Sequence, residues 1–97
     1  MVTHIVMIKL RDDVEEKEAQ KVASMIDSLS LKVPSIVSME TGINFADEER
    51  AMDIVLTAKF EDREGLQEYA VHPEHLKVIE YIKSVALYSK VVDYEKI

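Results

Sequence analysis

The sequence contains no cysteine and no tryptophan, and only two glycines and two prolines occur among its 97 residues. Without cysteine the chain cannot form a disulfide bond, a thiolate metal site or a cysteine nucleophile, and cysteine usage leaves the redox compartment open. The sequence also has no internal repeat and no low-complexity segment. A repeat architecture and a disulfide-stapled fold are therefore excluded.

Positive charge is the second shortage in this chain. Twelve Lys and Arg residues stand against nineteen Asp and Glu residues, so the formal net charge is -7, and the acidic residues are spread along the sequence. Nucleic-acid binding normally requires a basic face that neutralises phosphates and releases counterions. No cluster of Lys and Arg with interleaved aromatic residues is present, and the sequence therefore predicts no nucleic-acid partner.

Long apolar runs are also missing, because no stretch reaches the roughly 18 consecutive apolar residues of a membrane-spanning helix. The opening "MVTHIVMIKL" lacks the basic segment and the long apolar segment of a secretory signal. These features predict a cytoplasmic protein with no membrane partner. Apolar residues nevertheless make up 47% of the chain, which is enough for the core of one small domain over residues 1–97.

Alternating apolar and polar residues predict four β-strands, which cover residues 2–10, 36–45, 52–60 and 87–94. The first strand is apolar on both sides, and a histidine, His4, lies on the face that also carries Val6 and Ile8. The second and third strands are joined by the short charged segment "ADEERA". We therefore expect these two strands to be antiparallel neighbours.

Two helical regions separate the strands. Asp13 and Glu16 have the spacing of a capping box, and apolar residues at helical intervals follow, which predicts a first helix over residues 14–31. Asp62 is a good N-cap for a second helix. Because Pro73 lacks an N–H and restricts the residue before it, this second helix is expected to break there and restart. Its restarted half is expected to bury Leu76, Ile79 and Ile82.

This order of elements predicts an α+β fold of the ferredoxin-like type, β-α-β-β-α-β, with both helices on one face of an antiparallel sheet. The other face of the sheet would then expose Ile5, Met7 and Val55. An exposed apolar face of this kind needs a cover. A homodimer that packs two such faces together supplies that cover.

Five segments in order resemble the stress-responsive α/β barrel family, also called the Dabb domain. They are "HIVMIKL", "GIN", "KFED", "YAVHPEH" and "VVDYE", and together they span almost the whole chain. The resemblance implies a ferredoxin-like fold whose sheets pack into a dimeric α+β barrel, and an association with stress responses. Most members of this family have no assigned chemistry.

One characterised relative in this family is a plant polyketide cyclase that makes olivetolic acid, and it implies a set of catalytic residues. The base of that cyclase matches His75, the tyrosine that holds its reacting carbonyl matches Tyr69, and a histidine of its first strand matches His4. The resemblance also implies a small-molecule pocket between the sheet and the helices.

Three more residues are candidate substrate-binding residues in that pocket. His72 is the histidine immediately before the proline of "YAVHPEH". Two polar positions of the cyclase, a tyrosine and a histidine, correspond here to Ile26 and Ile54. Because these two polar groups are missing, polyketide cyclisation itself is not expected, and the pocket would suit another ligand.

The residues themselves allow both a functional and a structural interpretation. An imidazole such as that of His75 titrates near neutral pH and can act as a general acid or base. Tyr69 could donate a hydrogen bond to a developing enolate oxygen. Alternatively, His75 packs the first turn of a helix without chemistry, His72 acts as an N-cap, and His4 is a neutral core histidine with a hydrogen-bond partner.

No metal or cofactor is predicted. His72, Glu74 and His75 lack the arrangement that places two imidazoles on one helical face. Three other acidic residues are interpreted as solvated or edge charges: Asp53, Asp93 and Glu95.

Three functions remain open at this point. The first is a homodimeric enzyme that transfers protons next to a carbonyl without a cofactor, in the manner of a cyclase or lyase. The second is a non-catalytic stress-related structural or binding protein, in which apolar side chains would seal the space between His4 and His75. The third is a cofactor-free monooxygenase, which rests on analogy of fold alone.

Overall fold

The computed structural model describes residues 1–97. Four strands are formed: β1 (Val2–Leu10), β2 (Ser38–Ile43), β3 (Ile54–Phe60) and β4 (Ala86–Glu95). Three α-helices connect them: α1 (Lys17–Asp27), α2 (Arg63–Val71) and α3 (Pro73–Val85), with a short 3₁₀ helix at Ser28–Leu31 after α1. The predicted order of strands and helices is confirmed.

The four strands form one antiparallel sheet with the order β2-β3-β1-β4. In this order β1 lies in the interior of the sheet, where it pairs with β3 on one side and with the closing strand on the other. His4 is therefore opposite Ala58 on β3 and opposite Asp93 on β4. The register between β1 and β4 shifts once, between Lys9 and Leu10.

The core lies between the sheet and the helices. In β3 every second residue is buried, because a strand turns alternate side chains toward the same face. The largest fully buried side chains come from both layers: Ile8, Ile54 and Phe60 from the sheet, and Val22, Ile26, Leu29, Val33 and Tyr69 from the helices and their connections. This layer positions the site described below.

The first helix starts later than the sequence predicts. It begins at Lys17, and the N-cap residue, Glu16, makes no side-chain capping hydrogen bond. Asp13 instead accepts a hydrogen bond of 3.0 Å from Nε of Arg11. The predicted capping box is therefore wrong, since Asp13 lies four residues before the start of α1 and does not cap it.

The broken helix is confirmed, together with both of its predicted caps. The Asp62 side chain accepts a hydrogen bond of 2.8 Å from the backbone N–H of Gly65. His72 has an extended backbone, with φ of -64° and ψ of 133°, and its Nδ1 accepts a hydrogen bond of 3.1 Å from the N–H of Glu74. Pro73 is then the first residue of α3. His72 therefore has the capping role that its sequence position indicated.

The buried face of α3 differs from the prediction. Leu76 is 50% exposed, whereas Val78 and Val85 are buried and Ile79 and Ile82 are half-buried. This helix carries two adjacent apolar stripes, and hydrophobic periodicity alone does not tell which of them packs on the sheet. The stripe that contains Val78 and Val85 packs on the core, and the prediction for Leu76 is wrong.

No helix covers the opposite face of the sheet, as predicted, although Ile5 on this face is half-buried rather than exposed. Met7 and Val55 are each 37% exposed on this face, and Val92, Tyr88 and Tyr94 of β4 extend it toward the sheet edge. None of the helices combines the length and the apolar character that a membrane crossing requires.

Candidate functional site

A cavity of about 540 Å³ lies between the helices and the sheet, on the side of β4. Of its 17 lining residues, 13 are hydrophobic. Five lining residues have polar side chains on the covered face or on the helices: His4, Tyr69, His75, Lys83 and Ser89. The three residues that the sequence singled out as catalytic therefore line one cavity, although they come from β1, α2 and α3.

The three predicted catalytic side chains form a continuous aromatic cluster. The rings of Tyr69 and His75 are 4.1 Å apart between centroids and inclined by 34°. The ring of Tyr69 also meets the imidazole of His4 edge-on, with centroids 5.9 Å apart. Tyr69 thus contacts both histidines, and no hydrogen bond joins the two imidazoles to each other.

The helix break determines how His75 is held. In an uninterrupted helix the carbonyl of Ala70 would accept a hydrogen bond from the N–H four residues later, which belongs to Glu74. That N–H bonds instead to Nδ1 of His72, and Pro73 has no N–H. The free carbonyl of Ala70 accepts a hydrogen bond of 3.1 Å from Nδ1 of His75.

This hydrogen bond fixes the chemistry that His75 offers. Because a carbonyl only accepts, the proton resides on Nδ1, and Nε2 of His75 carries the lone pair. Burial of the ring lowers the pKa of His75 below its usual 6.5, although the bond to Ala70 acts in the opposite sense. His75 is therefore neutral at pH 7, as a general base has to be.

Tyr69 provides the complementary donor. Burial raises the pKa of Tyr69 to about 12, so its phenol remains protonated at neutral pH. The side chain is 1% exposed to solvent, and its hydroxyl makes no hydrogen bond to another protein group. The hydroxyl is thus available to a ligand oxygen in the cavity.

His4 has a partner that the sequence interpretation missed. Nδ1 of His4 donates a hydrogen bond to the carboxylate of Asp93, directly across the β1–β4 pair. Asp93 does lie on an edge strand of the sheet, as predicted, but it also binds His4, which the sequence did not indicate. The cross-strand register carries the signal, because in an antiparallel ladder a residue near the start of β1 meets one near the end of β4.

The other acidic residues on the sheet also have partners. Asp53 accepts a hydrogen bond of 2.7 Å from the backbone N–H of Leu10 and lies 3.6 Å from Nζ of Lys9. Glu95 pairs with Arg63 at 2.5 Å. These carboxylates are therefore structural contacts and not only solvated charges.

The three predicted substrate-binding residues are separated by the fold. Ile26 lines the cavity from α1. Ile54 does not, because it is buried in the core on β3, and the cavity lies on the other side of β1, toward β4. His72 is outside the cavity lining, since its Nδ1 caps α3. No group of three or more metal-ligating side chains is close enough together to hold a metal ion.

The sequence matches a known protein family along nearly its whole length. The sequence model of the Stress Responsive A/B Barrel Domain matches residues 2–96. Two stress-response A/B barrel domain-containing proteins of Arabidopsis thaliana are similar. One is 29% identical over 82 residues, covering 81% of this chain and 30% of that protein. The other is 28% identical over 90 residues, covering 88% of this chain and 42% of that protein. The chain thus spans less than half the length of these curated relatives.

Solved structures share the fold. A dimeric protein of unknown function with a ferredoxin-like fold, from Bacteroides fragilis, is 31% identical with a TM-score of 0.82, covering 98% of this chain and 95% of that chain. Hydroxynitrile lyase from Passiflora edulis is 14% identical with a TM-score of 0.84, covering 96% of this chain and 90% of that chain. The predicted ferredoxin-like fold is confirmed, and the likeness to the lyase shows the fold alone.

Proposed function

This chain belongs to the stress-responsive A/B barrel domain family, as its sequence predicted, and from that premise we propose that it is a homodimeric enzyme of cofactor-free proton transfer. Its substrate is a small organic molecule, and the proton moves to or from a carbon next to a carbonyl group. The observation that carries the proposal is the pairing, in one cavity, of a neutral His75 with a protonated Tyr69.

The two side chains have complementary roles in this reaction. Nε2 of His75 removes the proton from the carbon, and the electron pair of the broken C–H bond moves into the carbonyl to give an enolate. The hydroxyl of Tyr69 donates a hydrogen bond to the oxygen on which that charge develops. The imidazolium then returns its proton to carbon or to a leaving group, which restores His75. A positioned base of this kind contributes about 10²–10⁴-fold to a rate.

His4 is a positioning residue in this scheme. Its hydrogen bond to Asp93 places the proton on Nδ1, and its ring packs edge-on against Tyr69. The Nε2 atom of His4 is then the nitrogen that remains for a ligand hydroxyl. The role of this pair is to hold Tyr69 and the ligand in one orientation.

Dimerisation is supported by the open face of the sheet and by a relative. Exposed apolar side chains such as Met7 and Val55 cover this face, and burying them against a second copy removes them from water. The relative from Bacteroides fragilis, with 31% identity, is described as dimeric.

The shape of the cavity favours the enzymatic reading over a non-catalytic one. A purely structural protein was expected to seal the space between His4 and His75 with apolar side chains. Both imidazoles and the Tyr69 ring instead line the same open space. Enzyme sites are concave, mostly apolar and equipped with a few convergent polar groups, and this cavity has that composition.

The experiment measures hydrogen–deuterium exchange at the carbon next to the carbonyl. Small ketones and β-keto esters are incubated with the protein in deuterated buffer, and loss of the proton signal is followed by NMR. We expect the wild type to accelerate exchange, His75→Ala to abolish the acceleration and Tyr69→Phe to reduce it by about 10²-fold or more.

The control variant is His72→Asn. It removes the other imidazole of the same segment, and asparagine preserves the acceptor that caps α3. This variant should retain full exchange activity. Undiminished exchange in His75→Ala, an equal loss in His72→Asn, or no acceleration of any compound by the wild type contradicts the proposal.

A further inference from the structure

The charge of the cavity differs from that of the rest of the molecule. The chain carries nineteen Asp and Glu residues and a net charge of -7. None of these carboxylates lines the cavity, although Asp93 lies behind His4. Lys83 is the one lysine or arginine among the lining residues. The cavity wall of this acidic protein thus has one basic side chain and no acidic one.

Lys83 marks the mouth of the cavity. It is both a lining residue and solvent-exposed, so its side chain lies where the cavity opens to water. It takes part in no salt bridge, whereas Lys77, on the same helix, pairs with Glu74 at 3.7 Å. Ser89 of β4 lines the same cavity. The ammonium group of Lys83 is therefore available to an external anion.

The distance between His75 and Lys83 along α3 sets the length of a ligand that contacts both residues. His75 and Lys83 are both on α3, and an interval of eight residues corresponds to about 12 Å of helix. The wall between them is apolar, with Val78, Ile79 and Ile82 facing the cavity. An extended backbone spans about 3.3–3.6 Å per residue of three bonds, or roughly 1.2 Å per bond, so about ten bonds cover roughly 12 Å. A chain of about eight to ten carbons that ends in a carboxylate therefore approaches this span.

We propose that the cavity takes an elongated apolar molecule that carries a carboxylate, and that Lys83 pairs with this carboxylate at the mouth. The apolar body lies along α3, and the opposite end of the molecule reaches His75 and Tyr69. The reactive role of that inner end rests on the proton-transfer function proposed above, whereas recognition by Lys83 does not depend on it.

Lys83 also has a simpler role that the test has to separate from this one. It lies in the last turn of α3, where a cation interacts favourably with the helix dipole. That role requires only a positive charge and no ligand. It predicts a small loss of stability when the charge is removed, and no change in the discrimination between ligands.

The test compares three probes of equal chain length: octanoate, octanol and octylamine. Binding is measured by titration of the isotope-labelled protein, with the backbone amide signals of α3 followed by NMR. We expect octanoate to bind about fivefold more tightly than octanol, the upper end of what an exposed ion pair provides, and octylamine to bind most weakly. Lys83→Gln should remove the advantage of octanoate and leave octanol binding unchanged.

Lys77→Gln is the matched control, because it removes the same charge from the same helix outside the cavity. It should keep the advantage of octanoate. Equal affinities of octanoate and octanol for the wild type, an equal effect of both lysine variants, or no binding of either probe overturns the proposal.

The two proposals fail separately. An advantage for octanoate that survives in a protein without exchange activity refutes only the proton-transfer function. Exchange activity in a protein that does not discriminate octanoate from octanol refutes only the role of Lys83.

Discussion

The two faces of the sheet are both apolar, but the helices cover only one of them. On β1, residues that point toward the helices, such as His4 and Ile8, belong to the core and the cavity. Their neighbours in the chain, such as Met7, point to the face that no helix covers. Because side chains alternate along a strand, one nine-residue segment lines the cavity on one side and forms the uncovered apolar face on the other. The proposed chemistry and the proposed dimer contact thus use alternate residues of the same strand.

The largest expected effect tests whether stability comes from the covered face. Phe60 is fully buried between sheet and helices, whereas Phe45 is 99% exposed in the connection between β2 and β3. Phe60→Ala should lower the free energy of unfolding by about 3–5 kcal/mol, because it removes a large side chain from a packed core. Phe45→Ala, the same chemical change, should alter it by less than about 0.5 kcal/mol. Urea denaturation of both variants measures the difference, and similar losses would contradict the contrast.

The second effect tests whether the open face is the dimer surface. Val55→Lys places a charge in the middle of that face, and burying it without a partner should weaken association by about 2–4 kcal/mol. Leu31→Lys adds the same charge at a residue that is 92% exposed and lies outside the sheet, so it should leave association unchanged. Analytical ultracentrifugation gives the dissociation constant of each variant. A dimer of undiminished affinity in Val55→Lys would place the interface elsewhere.

The covered and open faces also differ in how far the sequence predicted them. Alternation alone identified Ile5, Met7 and Val55 as an uncovered group, since that inference needs only the period of a strand and the side on which the helices lie. The restart of the helix at Pro73 was equally local, because proline lacks the N–H that a continuous helix requires.

The contacts of the site were less accessible to prediction, because they depend on strand register and on the exact geometry of the helix break. The bond from His4 to Asp93 depends on the register of two strands almost ninety residues apart, and the bond from His75 to Ala70 depends on which carbonyl the helix break leaves free. Composition and periodicity predict neither the strand register nor the carbonyl that the break leaves free. The resemblance to a family supplied the identities of His4, Tyr69 and His75, and only the fold shows that they share a cavity.

A third, smaller effect tests whether Asp93, at the edge of the covered face, orients the ring of His4 rather than stabilising the fold. Asp93→Ala removes the acceptor for Nδ1 of His4. Because the carboxylate is 44% exposed, the loss of unfolding free energy should be about 0.5–1 kcal/mol. The imidazole nitrogen signals of His4 should then show both tautomers in place of one.

Glu95→Ala is the control for Asp93, because it removes another carboxylate of β4 that pairs with Arg63 and not with a histidine. It should leave the tautomer of His4 unchanged. If His4 retained a single tautomer after Asp93→Ala, some other group would have to hold its ring.

The smallest effect is a dependence of stability on pH that arises from His75 on the covered side and has no counterpart in dimerisation through the open face. The folded pKa of His75 lies below the 6.5 of the unfolded chain, because burial opposes the charged imidazole. As the pH falls through 6.5, the unfolded state takes up a proton first, so the stabilisation present above 6.5 decreases until the pH reaches the folded pKa. Urea denaturation across this window should show a steeper decline in the free energy of unfolding for the wild type than for His75→Gln.

The dimer provides the control for this pH dependence. The open face carries no histidine, so the dissociation constant of the dimer should show no difference between the two proteins over the same window. A larger change in association than in stability would mean that the two faces are coupled.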